Sequence, residues 1–278
     1  GKTTTTAMIA WIFEDQGMDV GYLIAGKPKD FEKSARKGNE DIFVIEADEY
    51  DTAFFDKRSK FIHYKPDTLI INNLEFDHAD IFPDLSFIFR EFHHLIRTLK
   101  EEAHIIFPSD DLNISKVISM GCWSKLKSYS VETAHENSLN FHDSGKTTYI
   151  IDGENGTLDW EMYGEHNARN AMTAALAVKQ YGISLSDALM SLEKFKGVSK
   201  RQEILLDTER LLLVEDFAHH PTAIKSTIAG IRKQYPNRRL VTAIELRSNT
   251  MKSGYHDDSL VQAVYEADQV FWKSEDYK

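Results

Sequence analysis

Lys2 and Thr3 stand in the run Gly1-Lys2-Thr3-Thr4-Thr5-Thr6, directly ahead of Ala7, Met8, Ile9, Ala10 and Trp11. A glycine, a lysine and hydroxyls opening a helix form the second half of a phosphate-binding loop. Loop and helix N–H groups hold phosphate oxygens, the ammonium reaches the terminal phosphates, and a hydroxyl ligates Mg²⁺. Four common residues in a row are a weak signal, and the sequence carries its own control, because Gly145-Lys146-Thr147-Thr148 repeats them. There Tyr149, Ile150, Ile151 and the turn pair Asp152-Gly153 follow, which predicts strand and hairpin. The first copy instead continues through Phe13 to Gly17 with helical character and a C-cap glycine. It alone has the context a phosphate site needs.

Other polar groups fall where chemistry is expected. Glu46 leaves an apolar run at 42–45, a place from which a carboxylate can offer a hard oxygen to Mg²⁺ beside Thr3. With Asp48, Glu49 and Asp51 crowding the same segment, a solvated acidic turn is the competing reading. His78, in Asp77-His78-Ala79-Asp80, is either an imidazole oriented by carboxylates toward a metal or phosphate, or a surface histidine. His166-Asn167-Ala168-Arg169-Asn170 opens a helix that can receive an adenine or phosphate, unless Asn167 is simply its N-cap. Arg201 offers a γ-phosphate clamp or belongs to a solvated Lys200-Arg201 pair. Asp216 can accept a ribose hydroxyl, and His219-His220-Pro221 can cap the next helix with no ligand involved. Arg247-Ser248-Asn249 suits a carboxylate or phosphate, with a plain loop as the default. His93 and His94, set among Phe92, Leu95 and Ile96, are helix residues without assigned chemistry.

The elements that must position these groups are legible as apolar runs at 20–24, 42–45, 68–71, 103–107, 211–214 and 240–244, separated by helical stretches. Strands alternating with helices imply a parallel sheet, and ligands collect at the carboxyl ends of such strands, where the polar clusters lie. A helical stripe runs from Phe87 to Leu99, and an alanine-rich helix at 168–178 ends near Gly182. Residues 128–160 alternate and turn, predicting a small antiparallel insert. A boundary is expected at 197–200, beyond which strand–helix alternation restarts. Both ends are expected to be cut, since a phosphate loop normally follows a strand and residues 268–272 read as a strand with more fold to come.

At 278 residues and 42% hydrophobic, the chain can bury a large core and is expected to make two domains. A net charge of −11 argues against a nucleic-acid-binding surface. No apolar stretch approaches the roughly 18 residues of a membrane span. The single Cys122 excludes an internal disulfide framework and fits a reducing cytosol, as a small buried hydrophobe.

Taken together, GKTTTT at Gly1, EADE at Glu46, NLEFDHADIF at Asn73, GEHNARNA at Gly164, GVSKRQE at Gly197 and EDFAHHPTAI at Glu215 resemble the Mur ligase family. Its members are ATP-dependent enzymes that build the peptide of bacterial cell walls. EADEYDTAFFDKRSKF from Glu46 and ELRSNTMK from Glu245 look most like the branch that joins UDP-N-acetylmuramate to the tripeptide L-alanyl-γ-D-glutamyl-meso-diaminopimelate. The muramate–alanine branch is the alternative, and a non-catalytic nucleotide-binding regulator or a phosphotransferase the more distant ones. The resemblance implies an α/β fold: a central P-loop-type ATPase domain (1–198), mostly parallel with a small antiparallel insert, then a partial Rossmann-like C-terminal domain (199–278). The resemblance further implies an N-terminal nucleotide-sugar domain that would lie outside this sequence. A cytoplasmic monomer is expected.

The resemblance also implies roles. Gly1, Lys2, Thr3 and Thr4 would hold the phosphates of ATP, with Thr3 and Glu46 on a first Mg²⁺ and His78 on a second. Asn167 and Asn170 would meet the adenine, Arg201 the γ-phosphate and Asp216 the ribose. Arg247, Ser248 and Asn249 would face the incoming peptide. Two departures stand out: His93 and no aligned lysine where several members carry a carbamylated lysine, and Leu246 where a proline is expected.

Overall fold

Residues 1–76, 84–131, 135–142, 146–246, 249–252 and 254–273, apart from the side chain of Asn249, are described by a computed structural model. The chain opens with α1 (Lys2–Asp15), β1 (Gly21–Leu23), β2 (Ala35–Arg36), β3 (Phe43–Ile45) and a hairpin of β4 (Asp51–Ala53) and β5 (Asp56–Ser59). Next come β6 (Thr68–Ile70), α2 (Leu85–Arg97), β7 (His104–Pro108), α3 (Leu112–Ser119) and β8 (Lys125–Tyr129). They are followed by β9 (Ser138–Phe141), β10 (Thr147–Ile151), β11 (Glu154–Leu158), α4 (Glu165–Lys179) and α5 (Leu185–Glu193). The last part holds β12 (Glu203–Asp207), β13 (Leu212–Glu215), α6 (Pro221–Gln234), β14 (Val241–Glu245), the one-turn α7 (Asn249–Lys252), α8 (Asp257–Ala263) and β15 (Gln269–Lys273).

Each of the six apolar runs contains a strand, and the parallel pairings are β1 with β3, β6 with β7, β7 with β8, and β14 with β15. In β7, Ile106 belongs to one hydrophobic cluster while Ile105 and Phe107 belong to another. Alternate side chains of a strand point to opposite faces, so this near-continuous apolar strand serves two cores at once. The first core is built on α1, where Ala7, Met8, Ala10 and Ile12 are fully buried, and on α4, where Ala171, Ala174 and Leu176 are fully buried. Helices apolar around most of their circumference must run inside a protein, and the alanines of α4 let the two pack closely. The second core lies between β6 and β7 on one side and α2 and α3 on the other. A third gathers Ile224 and Ile228 of α6 with Ile244 and Leu260.

The antiparallel insert is the sheet β11-β10-β9. Thr147 and Thr148 of the second GKTT run lie in β10, paired with Leu158 and Thr157, so that copy is strand, as its context requires. Gly145 lies outside the described residues. Gly17 leaves α1 at φ 79° and Gly182 follows α4 at φ 86°, both glycines at the helix exits expected of them. Some expectations need correction. Beyond residue 200 the chain first makes an antiparallel hairpin, β12 with β13, before strand–helix alternation resumes. Asn167 is not the cap of α4; Gly164 is, at φ 97°, with the His166 imidazole 2.8 Å from where a Cβ would sit, so a side chain there would be strained and would displace that ring. Cys122 is half-buried rather than fully buried, packed against the second core with its Sγ 3.8 Å from the Ser124 carbonyl oxygen. His220 does cap α6, accepting from the Thr222 N–H at 3.3 Å.

Candidate active site

The site starts where two parallel strands end beside the first turn of α1. Glu46 follows β3, and its N–H donates to the Leu23 carbonyl at the end of β1. Its carboxylate then takes two hydrogen bonds: Thr3 Oγ1 donates to Oε1 at 2.7 Å and the Ala25 N–H donates to Oε2 at 2.8 Å. The reading of Glu46 as a loose acidic turn residue therefore gives way to a carboxylate fixed against the phosphate-loop hydroxyl. A threonine hydroxyl and a carboxylate so close are hard oxygen donors of the kind Mg²⁺ takes when phosphates complete its shell. Among the described residues no group of three or more His, Cys, Asp or Glu side chains could hold a metal.

Lys2 Nζ is 2.7 Å from Glu49 Oε2, with its side chain half exposed at 52%. An exposed pair of this kind is worth about 0–1 kcal/mol, so a polyphosphate can take the ammonium from Glu49 readily. The neighbouring acids are also paired, Asp48 with Lys60 and Asp51 with Lys57. Thr4 is buried, and Gly1, Lys2, Thr3 and Thr4 all line a cleft of about 1710 Å³.

The same cleft is also lined by α4 and the segment leading into the last part of the chain. Asn167 and Asn170, both 3% exposed, project from the first turns of α4. Asn167 Nδ2 donates to the Tyr163 carbonyl at 2.9 Å and to Gln202 Oε1 at 3.2 Å. Asn170 Oδ1 accepts from the Gly1 nitrogen at 2.9 Å, which ties α4 to the phosphate loop. Asp216 follows β13 and accepts from the N–H groups of Gln202, at 2.9 Å, and Ala218, at 2.7 Å. Burial pushes its carboxyl above the ordinary range even so. His166, also on the cleft, is pushed by burial down to about 4 and is neutral near pH 7. The Arg201 guanidinium lies 5.0 Å from the Phe217 ring centroid. It sits between Lys200 at φ 60° and Gln202 at φ 49°, two left-handed residues that carry side chains, and strain of this kind gathers at functional sites. Arg201 is thus a held group and not one of a solvated pair.

Residues 72–75 line the cleft and are pinned at Leu74. The Leu74 N–H donates to Asp111 Oδ2 at 3.0 Å and Asn113 Nδ2 donates to the Leu74 carbonyl at 2.8 Å, while Asp111 also caps α3. His78, Arg247 and Ser248 lie outside the described residues, as does the side chain of Asn249. His93 Nε2 is buried, without a hydrogen-bond partner, 3.5 Å from where a Cβ would sit on Gly121, and His93 does not line the cleft.

Three contributors escaped sequence reasoning. Gln202 links Asn167 to Asp216, and Glu49 holds Lys2. The third is Gly26: a Cβ there would stand 2.6 Å from Thr3 Cγ2 and 3.0 Å from Val198 Cγ1. Threonine is stiff about χ1, so Gly26→Ala displaces Thr3 from Glu46. The expected outcome is a several-fold rise in the Mg²⁺ concentration needed for half-maximal ATP turnover. A thermal melt that falls while the Mg²⁺ requirement stays put would assign Gly26 to packing alone.

A helix opened by Gly-Lys-Thr-Thr, a carboxylate at the end of the adjoining strand and an amide-rich helix N-terminus share one cleft, the arrangement of a P-loop-type α/β core. Residues 1–178 match the Mur ligase middle domain, and the chain belongs to the Mur ligase family. The UDP-N-acetylmuramate–L-alanyl-γ-D-glutamyl-meso-2,6-diaminoheptandioate ligase of Escherichia coli K12 is 44% identical over 273 residues, 98% of this chain and 60% of that protein. A crystal structure of a murein peptide ligase from Psychrobacter arcticus has the same fold with a TM-score of 0.74 at 39% identity, covering 98% of this chain and 61% of that one. The UDP-N-acetylmuramate–L-alanine ligase of Desulfitobacterium hafniense is 32% identical over 250 residues, 86% of this chain and 52% of that protein. The chain thus spans about 60% of the length of the first of these relatives. Among the described residues no helix is long and apolar enough to cross a membrane.

Proposed function

We propose that this chain is the ATP-binding part of a ligase that joins UDP-N-acetylmuramate to L-alanyl-γ-D-glutamyl-meso-diaminopimelate in cell-wall recycling. The single observation that carries the nucleotide reading is the Thr3–Glu46 pair on a cleft that Asn167, Asn170 and Asp216 also line. The choice of substrates rests on the 44% identity to the Escherichia coli enzyme. We place the domain boundary at 198/199 and the reaction in the cytoplasm, with a monomer as the working unit.

In this reading a muramyl carboxylate oxygen attacks the γ-phosphorus of ATP. The bond to the bridging oxygen breaks with its electrons leaving on ADP, and an acyl phosphate forms. The tripeptide amine then adds to the acyl carbon, loses a proton, and expels inorganic phosphate as the amide forms. An anion attacking an anion needs its charge neutralised. Lys2, released from Glu49, supplies part of that, and Arg201 meets the γ-phosphate. Mg²⁺ bound by Thr3 and Glu46, with His78 serving a second ion, would polarise the phosphoryl oxygens. Gly1 leads the chain past the phosphates into the helix, and Thr4 in its first turn offers a backbone N–H to them. Asn167 and Asn170 hold the adenine and Asp216 a ribose hydroxyl. Arg247, Ser248 and Asn249 read the peptide, the arginine by its two-pronged fit to a carboxylate.

The second reading, addition of L-alanine, is favoured by the 32% identity to an alanine-adding enzyme. Full-length protein with ATP, Mg²⁺ and UDP-N-acetylmuramate, offered tripeptide or L-alanine, separates the two by product mass. A tripeptide adduct is expected. An alanine adduct alone moves the chain to the other branch, and ADP release that needs no amine overturns the ligase reading.

A further inference from the structure

A one-way file of hydrogen bonds crosses the cleft. Asn72 Nδ2 donates to Thr5 Oγ1 at 2.8 Å, and Thr5 Oγ1 donates to Asn170 Oδ1 at 3.1 Å. Asn170 Nδ2 donates to Asn167 Oδ1 at 3.3 Å, and Asn167 Nδ2 donates to Gln202 Oε1 at 3.2 Å. The Gln202 N–H finishes the file on Asp216 Oδ2 at 2.9 Å. Every link points the same way, from the loop after β6 to the carboxylate after β13.

The centre of the file is strict. A hydroxyl has one proton, and Thr5 gives it to Asn170, so toward Asn72 it can only accept. This fixes the orientation of the Asn72 amide, because the flipped amide would ask Thr5 for a second proton. Asn72 Oδ1 is buried and has no hydrogen-bond partner, which leaves Thr5 as the group that orients the side chain. Thr5, Asn167 and Asn170 are each only 3% exposed, so little water is available to replace a lost link. Buried hydrogen bonds in series polarise one another and hold the groups they join at a set separation.

We propose that Thr5 is a positioning residue that sets the distance between the phosphate end and the nucleoside end of the cleft. It stands on α1 in the turn that also carries Lys2, and it holds Asn72 on one side and the Asn170–Asn167 pair on the other. The proposal rests on the nucleotide reading above. Its consequence is selective. A ligand that engages both ends, such as ATP, gains from the fixed separation, whereas inorganic tripolyphosphate, which has only the phosphate end, does not.

Calorimetric titration of the full-length protein with Mg²⁺ and either ATP or tripolyphosphate tests this. Thr5→Val keeps the shape of the side chain and removes two hydrogen bonds, so ATP is expected to bind about tenfold more weakly. Tripolyphosphate is expected to bind as to the parent, and Thr5→Ser to restore ATP affinity. Gln202→Leu, at a half-buried position, cuts the file at its far end and is expected to act in the same selective sense; it stands in if Thr5→Val does not fold. Equal weakening of both ligands would make Thr5 part of the phosphate loop or the fold only, and parental affinity for ATP in the variants would dissolve the file as a device. No ATP binding by the unsubstituted protein would overturn the nucleotide reading and this proposal with it. Parental ATP binding without ligation would leave the positioning role standing while removing the ligase.

Discussion

Lys2→Ala is expected to lower ATP-dependent ligation by about 10²-fold or more, the scale of losing one group that stabilises transferring charge, while Lys146→Ala is expected to leave it unchanged. The two lysines share their local sequence, Gly-Lys-Thr-Thr, and differ in what the chain does next. Lys2 enters α1 and stands at the cleft, held by an exposed contact to Glu49 that phosphate can displace. Lys146 leads into β10 and pairs with Asp159 at 3.0 Å, both side chains more than half exposed. Such a surface pair contributes about 0–1 kcal/mol, so its loss is small for stability as well as for turnover. Steady-state rates for both variants under saturating ATP check this. Equal losses would show that the hairpin copy also meets nucleotide.

Glu46→Gln is expected to remove ligation almost wholly at ordinary Mg²⁺, by roughly 10² or more, since several kcal/mol of charge stabilisation goes with a misplaced metal. The fold is expected to survive. Glutamine can still accept the Ala25 N–H with its carbonyl oxygen, and its amide can donate to Thr3 Oγ1, so neither partner is orphaned. What is lost is negative charge and one hard oxygen at the position facing the phosphates. Measuring turnover across a wide Mg²⁺ range, with a melt to confirm folding, separates a metal ligand from a structural carboxylate. Near-parental turnover at ordinary Mg²⁺ would sink the metal role.

Much of the framework was legible because its signals are local. The period of apolar residues, the glycines at the ends of α1 and α4, and the alternation at 128–160 each reflect constraints acting within one element. Glu46 was legible for the same reason, as the first polar residue after an apolar strand that had to end at the ligand side of a sheet. Its two hydrogen bonds were not, since Thr3 is 43 residues away and Ala25 21 residues away. Asn167 was misjudged as a possible cap because an asparagine near a helix start looks alike whether it serves the backbone or a distant partner. The fold gives the cap position to Gly164 and turns Asn167 to both the Tyr163 carbonyl and Gln202.

The sequence by itself determined which copy of Gly-Lys-Thr-Thr opens a helix, which runs become strands, and that polar groups gather at strand ends. Those outcomes follow from propensity, capping and hydrophobic period, which act over a few residues. The tertiary structure alone decided that Lys2 rests on Glu49, that Gly26 must lack a side chain beside Thr3, and that Thr5 joins Asn72 to Asn170. Thr5 and Asn170 are 165 residues apart. Contacts across such distances arise when buried polar groups, brought together by packing of the apolar faces around them, must find partners or lose the solvation they had in water.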